Sequence, residues 1–81
     1  MARYWYMECP ICNQGRLFVK VRNETERLFL ECEECSNAWN APEQVLARDS
    51  AFLAIAIDSD FATVEDIENG GWFGYRFKRV D

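Results

Sequence analysis

Histidine is absent from the 81-residue chain. This removes the imidazole general base, the Ser-His and Cys-His nucleophile pairs, and any mixed Cys-His catalytic metal site. Proline and glycine are scarce, with two and four residues, and the chain has no low-complexity segment, internal repeat or flexible linker. A single packed unit is therefore expected. Long apolar runs are also missing. The longest, Ala51 to Ile57, ends at Asp58 and is far shorter than a membrane-spanning helix. The start, Met1-Ala2-Arg3-Tyr4-Trp5, lacks the apolar core of a secretory signal, so a reduced, cytoplasmic setting is expected. Basic residues are the minority, nine against fourteen acidic, for a net charge of -5.

All four cysteines fall in two pairs, Cys9-Pro10-Ile11-Cys12 and Cys32-Glu33-Glu34-Cys35, with 19 residues between the pairs. Two residues between cysteines let both thiolates of a pair face one ion from a tight turn. The intervening stretch is long enough to return as a β-hairpin carrying the second pair. Cys9, Cys12, Cys32 and Cys35 are thus the expected ligands of one structural zinc ion. Iron in a rubredoxin-like site uses the same ligands. A tetrahedron completed by four sulfurs leaves no position for water or substrate, which argues for a structural metal and against an enzyme. Disulfides are the competing use of the cysteines and belong to secreted mini-proteins. Dithiol redox chemistry wants a helix N-terminus in a thioredoxin-like setting, which the strand-like flanks of Cys9 and Cys12 do not provide.

Tyr4 to Met7, Leu17 to Val21 and Leu28 to Glu31 have the β-branched and aromatic content of strands. Arg22 to Arg27 forms the hairpin tip, with Asn23 as the turn-tolerant residue. Asn13-Gln14-Gly15 and Ser36-Asn37, directly after the two pairs, suit left-handed turns around a metal. Ala38-Trp39-Asn40 reads as a short third strand, with Trp39 covering the metal site. Pro42 suits the first turn of a helix preceded by Asn40 or Ala41, favoured by Glu43 and running to Leu53 or Ile57. The run over 50–57 is apolar on every side and leaves helix and strand open; its alanines favour helix. A second helix follows the cap Thr63 and closes at Gly70-Gly71. Trp72 to Val80 alternates as a terminal strand. The expected fold is α+β: a zinc ribbon over residues 1–41, packed with an acidic α/β extension over 42–81 of two short helices and a C-terminal strand.

The charge is uneven. Residues 41–75 hold one base, Arg48, against Glu43, Asp49, Asp58, Asp60, Glu65, Asp66 and Glu68. Such a field repels phosphate and attracts cationic surfaces, so a basic protein partner is favoured over nucleic acid. Asp58, Asp60, Glu65 and Glu68, with Trp72 as an aromatic anchor, are the candidate contacts. Carboxylate-pair catalysis by Asp58 with Asp60 or Glu65 with Glu68 has no phosphate loop or pocket to support it. The alternative is a nucleic-acid-binding or transcription- and translation-associated regulator using Arg16, Lys20, Arg22 and Arg27 with Phe18. Glu24, Glu26, Glu31, Glu33 and Glu34 share that hairpin and knuckle, and in sequence they cancel most of the local charge.

The order Cys9-Pro10-Ile11-Cys12, Cys32-Glu33-Glu34-Cys35-Ser36-Asn37-Ala38-Trp39, Pro42-Glu43 and a short acidic stretch before Gly71-Trp72 resembles small bacterial zinc-ribbon immunity proteins of polymorphic or contact-dependent toxin systems. The resemblance spans most of the chain as an order of features, and its specific motif is the cysteine pairs. It implies a non-catalytic protein that neutralises a basic toxin, often a nuclease, by direct binding. It carries over the four ligands and no toxin-contacting residue.

Overall fold

The computed structural model describes residues 2–81 and is built on one mixed-length antiparallel sheet. The strands are β1 (Arg3–Glu8), β2 (Arg16–Arg22), β3 (Leu28–Cys32), β4 (Asn37–Trp39), β5 (Phe52–Leu53), β6 (Ser59–Phe61) and β7 (Lys78–Val80), with one α-helix, α1 (Val64–Asn69). The order across the sheet is β5-β4-β3-β2-β1-β7. β6 pairs with the same strand, β2, that pairs with β1: Trp5 lies opposite Phe18 and Glu8 opposite Arg16, whereas Lys20 to Arg22 lie opposite Phe61 to Ser59. β1 and β6 therefore share one edge of β2, and β1 carries an irregularity between Trp5 and Glu8.

Period-two alternation assigns the faces. Leu17, Val19 and Val21 of β2 stand opposite Cys32, Leu30 and Leu28 of β3, and Leu30 stands opposite Trp39 of β4. These inner-face residues form the main core with Cys9, Val45, Ala62 and Ile67, partly covered by Tyr4, Tyr6, Trp72 and Phe77. The opposite, outer face has its own small cluster of Phe29, Ala38 and Ala54 with Phe52 and Ile57. Trp39 is fully buried, and its indole Nε1 has no hydrogen-bond partner. It lies in the same buried cluster as Cys9 and Cys32.

The fold is mostly β, which corrects the expected two-helix α+β arrangement. No α-helix runs from Pro42. Pro42–Gln44 and Arg48–Ser50 are single 3-10 turns. Pro42 does occupy the first helical position, but the cap residue is Ala41, with no side chain to bond the free amides; the Asn40 side chain instead accepts from Arg22 Nη2 at 3.0 Å. An uncapped first turn gives little to offset the cost of helix nucleation. The apolar run that follows is a two-residue strand, Phe52–Leu53, and then a turn closed by Ile57 N donating to Ala54 O. Phe52 and Leu53 pair with Ala38 and Asn37, Ala54 is buried, and Leu53 and Ile55 are 67% and 81% exposed. Sheet pairing and the apolar hollow around Phe29 override the helix propensity of the alanines.

The second helix forms where its cap placed it. Thr63 Oγ1 accepts from Asp66 N at 3.1 Å, and Thr63 N donates to Asp66 Oδ2 at 2.9 Å, a complete capping box. At its end, a Cβ on Gly70 would lie 2.3 Å from Leu28 Cδ1, so this glycine lets α1 lie against β3, and Gly71 takes the positive φ of 81° that turns the chain. The expected strand from Trp72 is shortened to Lys78–Val80. Residues before it fold into a turn, with Tyr75 N donating to Trp72 O, and the rings collapse on one another: Trp72 stacks on Phe77 at 6.3 Å and Tyr75 meets Tyr6 edge-on at 6.1 Å. The three residues of β7 pair with Arg3 to Trp5, the outer edge of β1. In the hairpin tip the left-handed residue is Glu26 (φ 58°), not Asn23.

Candidate metal centre

The two knuckles repeat one local design. After β1, Asn13 N donates to Cys9 O at 2.9 Å, and Asn13 has φ 57°. After β3, Ser36 N donates to Cys32 O at 3.3 Å, and Ser36 has φ 62°. Each turn closes over four residues and leaves through a left-handed position, as the polar residues at those sites anticipate. Strands β1, β2 and β3 bring the turns together: Cys9 N donates to Gly15 O and Glu33 N to Arg16 O. Gly15 is required by space, since a Cβ there would lie 2.6 Å from Cys32 Sγ and 2.9 Å from Glu34 Cγ.

The sulfurs of Cys9, Cys12, Cys32 and Cys35 all lie within 4.8 Å of one another. Cys9 and Cys35 are 3.7 Å apart, and Cys12 and Cys32 3.5 Å. A tetrahedron with metal–sulfur bonds of about 2.3 Å has sulfur–sulfur edges of about 3.8 Å, so the cluster has the size of a four-thiolate site. The cysteines are free thiols rather than disulfides, two buried and two half-buried.

The surroundings are arranged to receive negative sulfur. Glu34 N and Cys35 N point at Cys32 Sγ at 3.4 and 3.5 Å, and Asn37 Nδ2 points at Cys35 Sγ at 3.2 Å. Such donors around the ligands hold thiolates in place. As thiols the four are not equivalent. The amides of Gln14 and Gly15 bring Cys12 down to about 7. Burial pushes Cys32 up to about 12 and also raises Cys9, in each case against amides of its own knuckle. A cation is the natural counter-charge for thiolates that burial otherwise keeps protonated. Arg16 fastens the margin, donating from N and Nε to Glu33 Oε2 at 2.9 and 2.8 Å. This holds the Arg16 guanidinium above and the Glu33 carboxyl below their usual ranges.

The proposed partner contacts are dispersed. Asp58 is exposed beside the hairpin tip, where its carbonyl accepts from Asn23 N. Asp60, on β6, lines a hollow of about 460 Å³ with Arg3, Thr63 and Asp66. Glu65 and Glu68 are exposed on α1, and Glu68 edges a separate groove of about 240 Å³ formed with Tyr4, Val64, Phe73 and Phe77. Trp72 is half-buried against the core and stacked on Phe77. In place of Trp72, Phe73 is the exposed aromatic of that segment, at 76%.

The basic residues are less dispersed than the sequence suggests. Arg16, Lys20 and Arg22 share the outer face of β2, whereas Arg27 lies in the tip. Pairing adds Arg3 and Trp5 from β1, Phe61 from β6 and Lys78 from β7 to that face. The alternation within each segment was visible in sequence, but the pairing that assembles them is long-range.

No helix among the described residues is long and apolar enough to cross a membrane. Comparison with protein-family models, with curated proteins and with solved structures finds no match to this chain.

Proposed function

We propose that the chain is a non-catalytic protein-binding module stapled by one zinc ion on Cys9, Cys12, Cys32 and Cys35, and that it serves in the cytoplasm as an immunity protein against a basic toxin domain. The zinc reading is supported by the edge lengths of the sulfur cluster and by the N–H donors aimed at it. Four sulfurs fill the coordination sphere, so the metal's work is to fix the hairpin and its attached strands.

One observation carries the binding reading: the groove between α1 and the C-terminal aromatic segment. It is apolar inside, lined by Val64, Phe73 and Phe77, and Glu68 stands at its edge. Val64 is 51% exposed, and neighbouring Glu65 adds a second carboxylate on α1. An apolar centre with an acidic rim suits a partner that brings an apolar side chain within a cationic surface. A nuclease domain, cationic where it holds phosphates, is such a partner, and the order of cysteine pairs, Trp39, Pro42-Glu43 and acidic helix agrees with the resemblance to immunity proteins.

The test is capture from the native cell with tagged protein at low and high salt, followed by expression of the captured protein by itself. The reading requires one stoichiometric basic protein that is toxic when expressed alone, is relieved by co-expression of this chain, and is no longer bound by the Phe73→Ala or Glu68→Lys variant. A captured protein that is harmless, or one held equally by both variants, overturns it.

A further inference from the structure

The outer face of the sheet carries a continuous layer of cations and rings. Lys78 Nζ lies 4.5 Å over the Trp5 ring, and Arg16 Cζ lies 5.7 Å from Trp5 and 5.0 Å from Phe18. Phe18 meets Phe61 edge-on at 5.6 Å, and Phe61 takes Arg3 Cζ at 4.1 Å and Lys20 Nζ at 4.8 Å. Phe18 is buried in this layer, whereas Trp5 is half-buried and Phe61 is 38% exposed.

We propose that this face, built from β7, β1, β2 and β6, is a binding platform for single-stranded nucleic acid. Cations lying flat on rings are also how a single-layer sheet covers apolar surface with side-chain stems. Charge pairing separates the two uses. Lys20 is matched by Glu31 and Arg16 by Glu33, but Arg3, Arg22 and Lys78 have no carboxylate partner among the described residues. Covering the sheet does not require that surplus; a phosphate chain does.

Of the acidic residues that cancel this charge in sequence, three are elsewhere in space and two are spent on ion pairs within the face. Glu24 and Glu26 lie in the hairpin tip and Glu34 in the second knuckle. Glu31 and Glu33 are already paired, and Glu8 stands at the knuckle margin opposite Arg16. Of the carboxylates of α1, Glu68 edges the groove on the inner side of the sheet. Asp66, whose Oδ2 accepts from Thr63 N, and Asp60 of β6 share a hollow with Arg3 and Phe61 at the margin of the platform and form no ion pair with Arg3. At physiological salt the screening length is about 8 Å, so the net negative charge does not govern this face. An acidic peptide satisfies the cations but not the rings. Nucleobases stack on Trp5 and Phe61 and on guanidinium planes, and unpaired strands present their bases for this while a duplex does not.

The test uses metal-loaded protein and a fluorescein-labelled oligothymidylate of about twelve nucleotides, with anisotropy read at about 50 and about 200 mM salt. Arg22 is held by Asn40 over Phe29 and Phe52, to one side of this layer, so two cations, Arg3 and Lys78, are free for phosphates and give a slope of log affinity on log salt near -1.4, a weakening of roughly 7-fold over that range. Arg3→Gln and Lys78→Gln, both at exposed positions that leave the core intact, should each flatten the slope by about 0.7. Phe61→Ala should weaken binding by roughly 5- to 100-fold and leave the slope unchanged. Three results overturn the proposal: no binding at the lower salt, equal binding of the matching duplex, or displacement of the oligonucleotide by a polyglutamate peptide at equal concentration. The last would make the face a site for acidic protein. Because the platform and the α1 groove lie on opposite sides of the sheet, oligonucleotide binding without toxin binding, or the reverse, shows which of the two readings has failed.

Discussion

Gly15 stands so close to Cys32 that a Cβ on the glycine would lie 2.6 Å from the Cys32 sulfur. The φ of Gly15 is not in the left-handed region, so its requirement is space, and the space belongs to the metal centre. Gly15→Ala should push Cys32 Sγ, or the first knuckle, out of the cluster. Overpacking of this kind typically costs about 1–3 kcal/mol, and here the strain falls on a sulfur of the four-cysteine cluster. The expected outcome is weaker metal retention in competition with a chromogenic chelator and a lowered thermal midpoint. A variant that keeps both is evidence that the knuckles can part without loss.

Metal removal gives a second prediction. The purified chain should carry one ion, colourless if zinc and coloured if ferric iron. Structural zinc in small modules supplies roughly 10–16 kcal/mol of apparent binding energy at neutral pH, which exceeds the stability of a typical small domain. Chelation, or Cys32→Ser, should therefore abolish the near-ultraviolet dichroism of the buried aromatics. Because Trp39 shares its cluster with Cys9 and Cys32, its fluorescence should shift to the red at the same chelator concentration. Persistence of the near-ultraviolet signal in metal-free protein would show that the core holds without the staple.

The parts of the molecule that follow local rules were legible in sequence. The spacing of the cysteine pairs anticipated that the four sulfurs lie together, β-branched and aromatic content marked β2 and β3, and Thr63 announced α1. What was not legible depends on partners distant in the chain. Ala54 is buried because Ala38 and Phe29 make room for it, a fact held by the pairing of β4 with β5. Trp72 and Phe77, which an ideal strand would place on opposite sides, are stacked on one another by the turn at Trp72 to Tyr75. The cation–ring layer is legible in sequence only in its β2 part, Arg16, Phe18 and Lys20, for the same reason. Arg3, Phe61 and Lys78 are neighbours only because β1, β6 and β7 gather around β2 and its first edge.

The helix cap offers a local test of the extension. Thr63 provides one half of a reciprocal pair with Asp66 at the start of a six-residue helix. So short a helix has little stability of its own. Thr63→Ala should cost about 0.5–2 kcal/mol. Amide exchange should quicken from Glu65 to Ile67 while the amides pairing β2 with β3 stay protected. Uniform loss of protection across the sheet would mean that α1 and the hairpin unfold as one unit.

The last prediction concerns the hydrogen bond from the Tyr75 hydroxyl to Glu43 Oε2, which ties the C-terminal aromatic segment to the 3-10 turn at Pro42. Tyr75 holds the Glu43 carboxyl below the usual carboxylate range, and Glu43 raises the Tyr75 phenol above the usual tyrosine range. The signs follow from which form each partner favours. The lowered Glu43 contributes stability above its unfolded value, lost as pH falls through the lowered folded value. The raised Tyr75 contributes below its unfolded value, lost as pH rises through the raised folded value. Tyr75→Phe keeps the ring contacts with Tyr6, Trp72 and Phe77 and removes only the hydroxyl. Urea midpoints of the wild type and this variant should therefore differ across neutral pH and converge at both acidic and strongly alkaline extremes. In the wild type, tyrosinate absorbance should show one group titrating late, and Glu43→Gln should return it toward the others. A constant gap between the two midpoints at every pH would assign the effect of Tyr75 to packing alone.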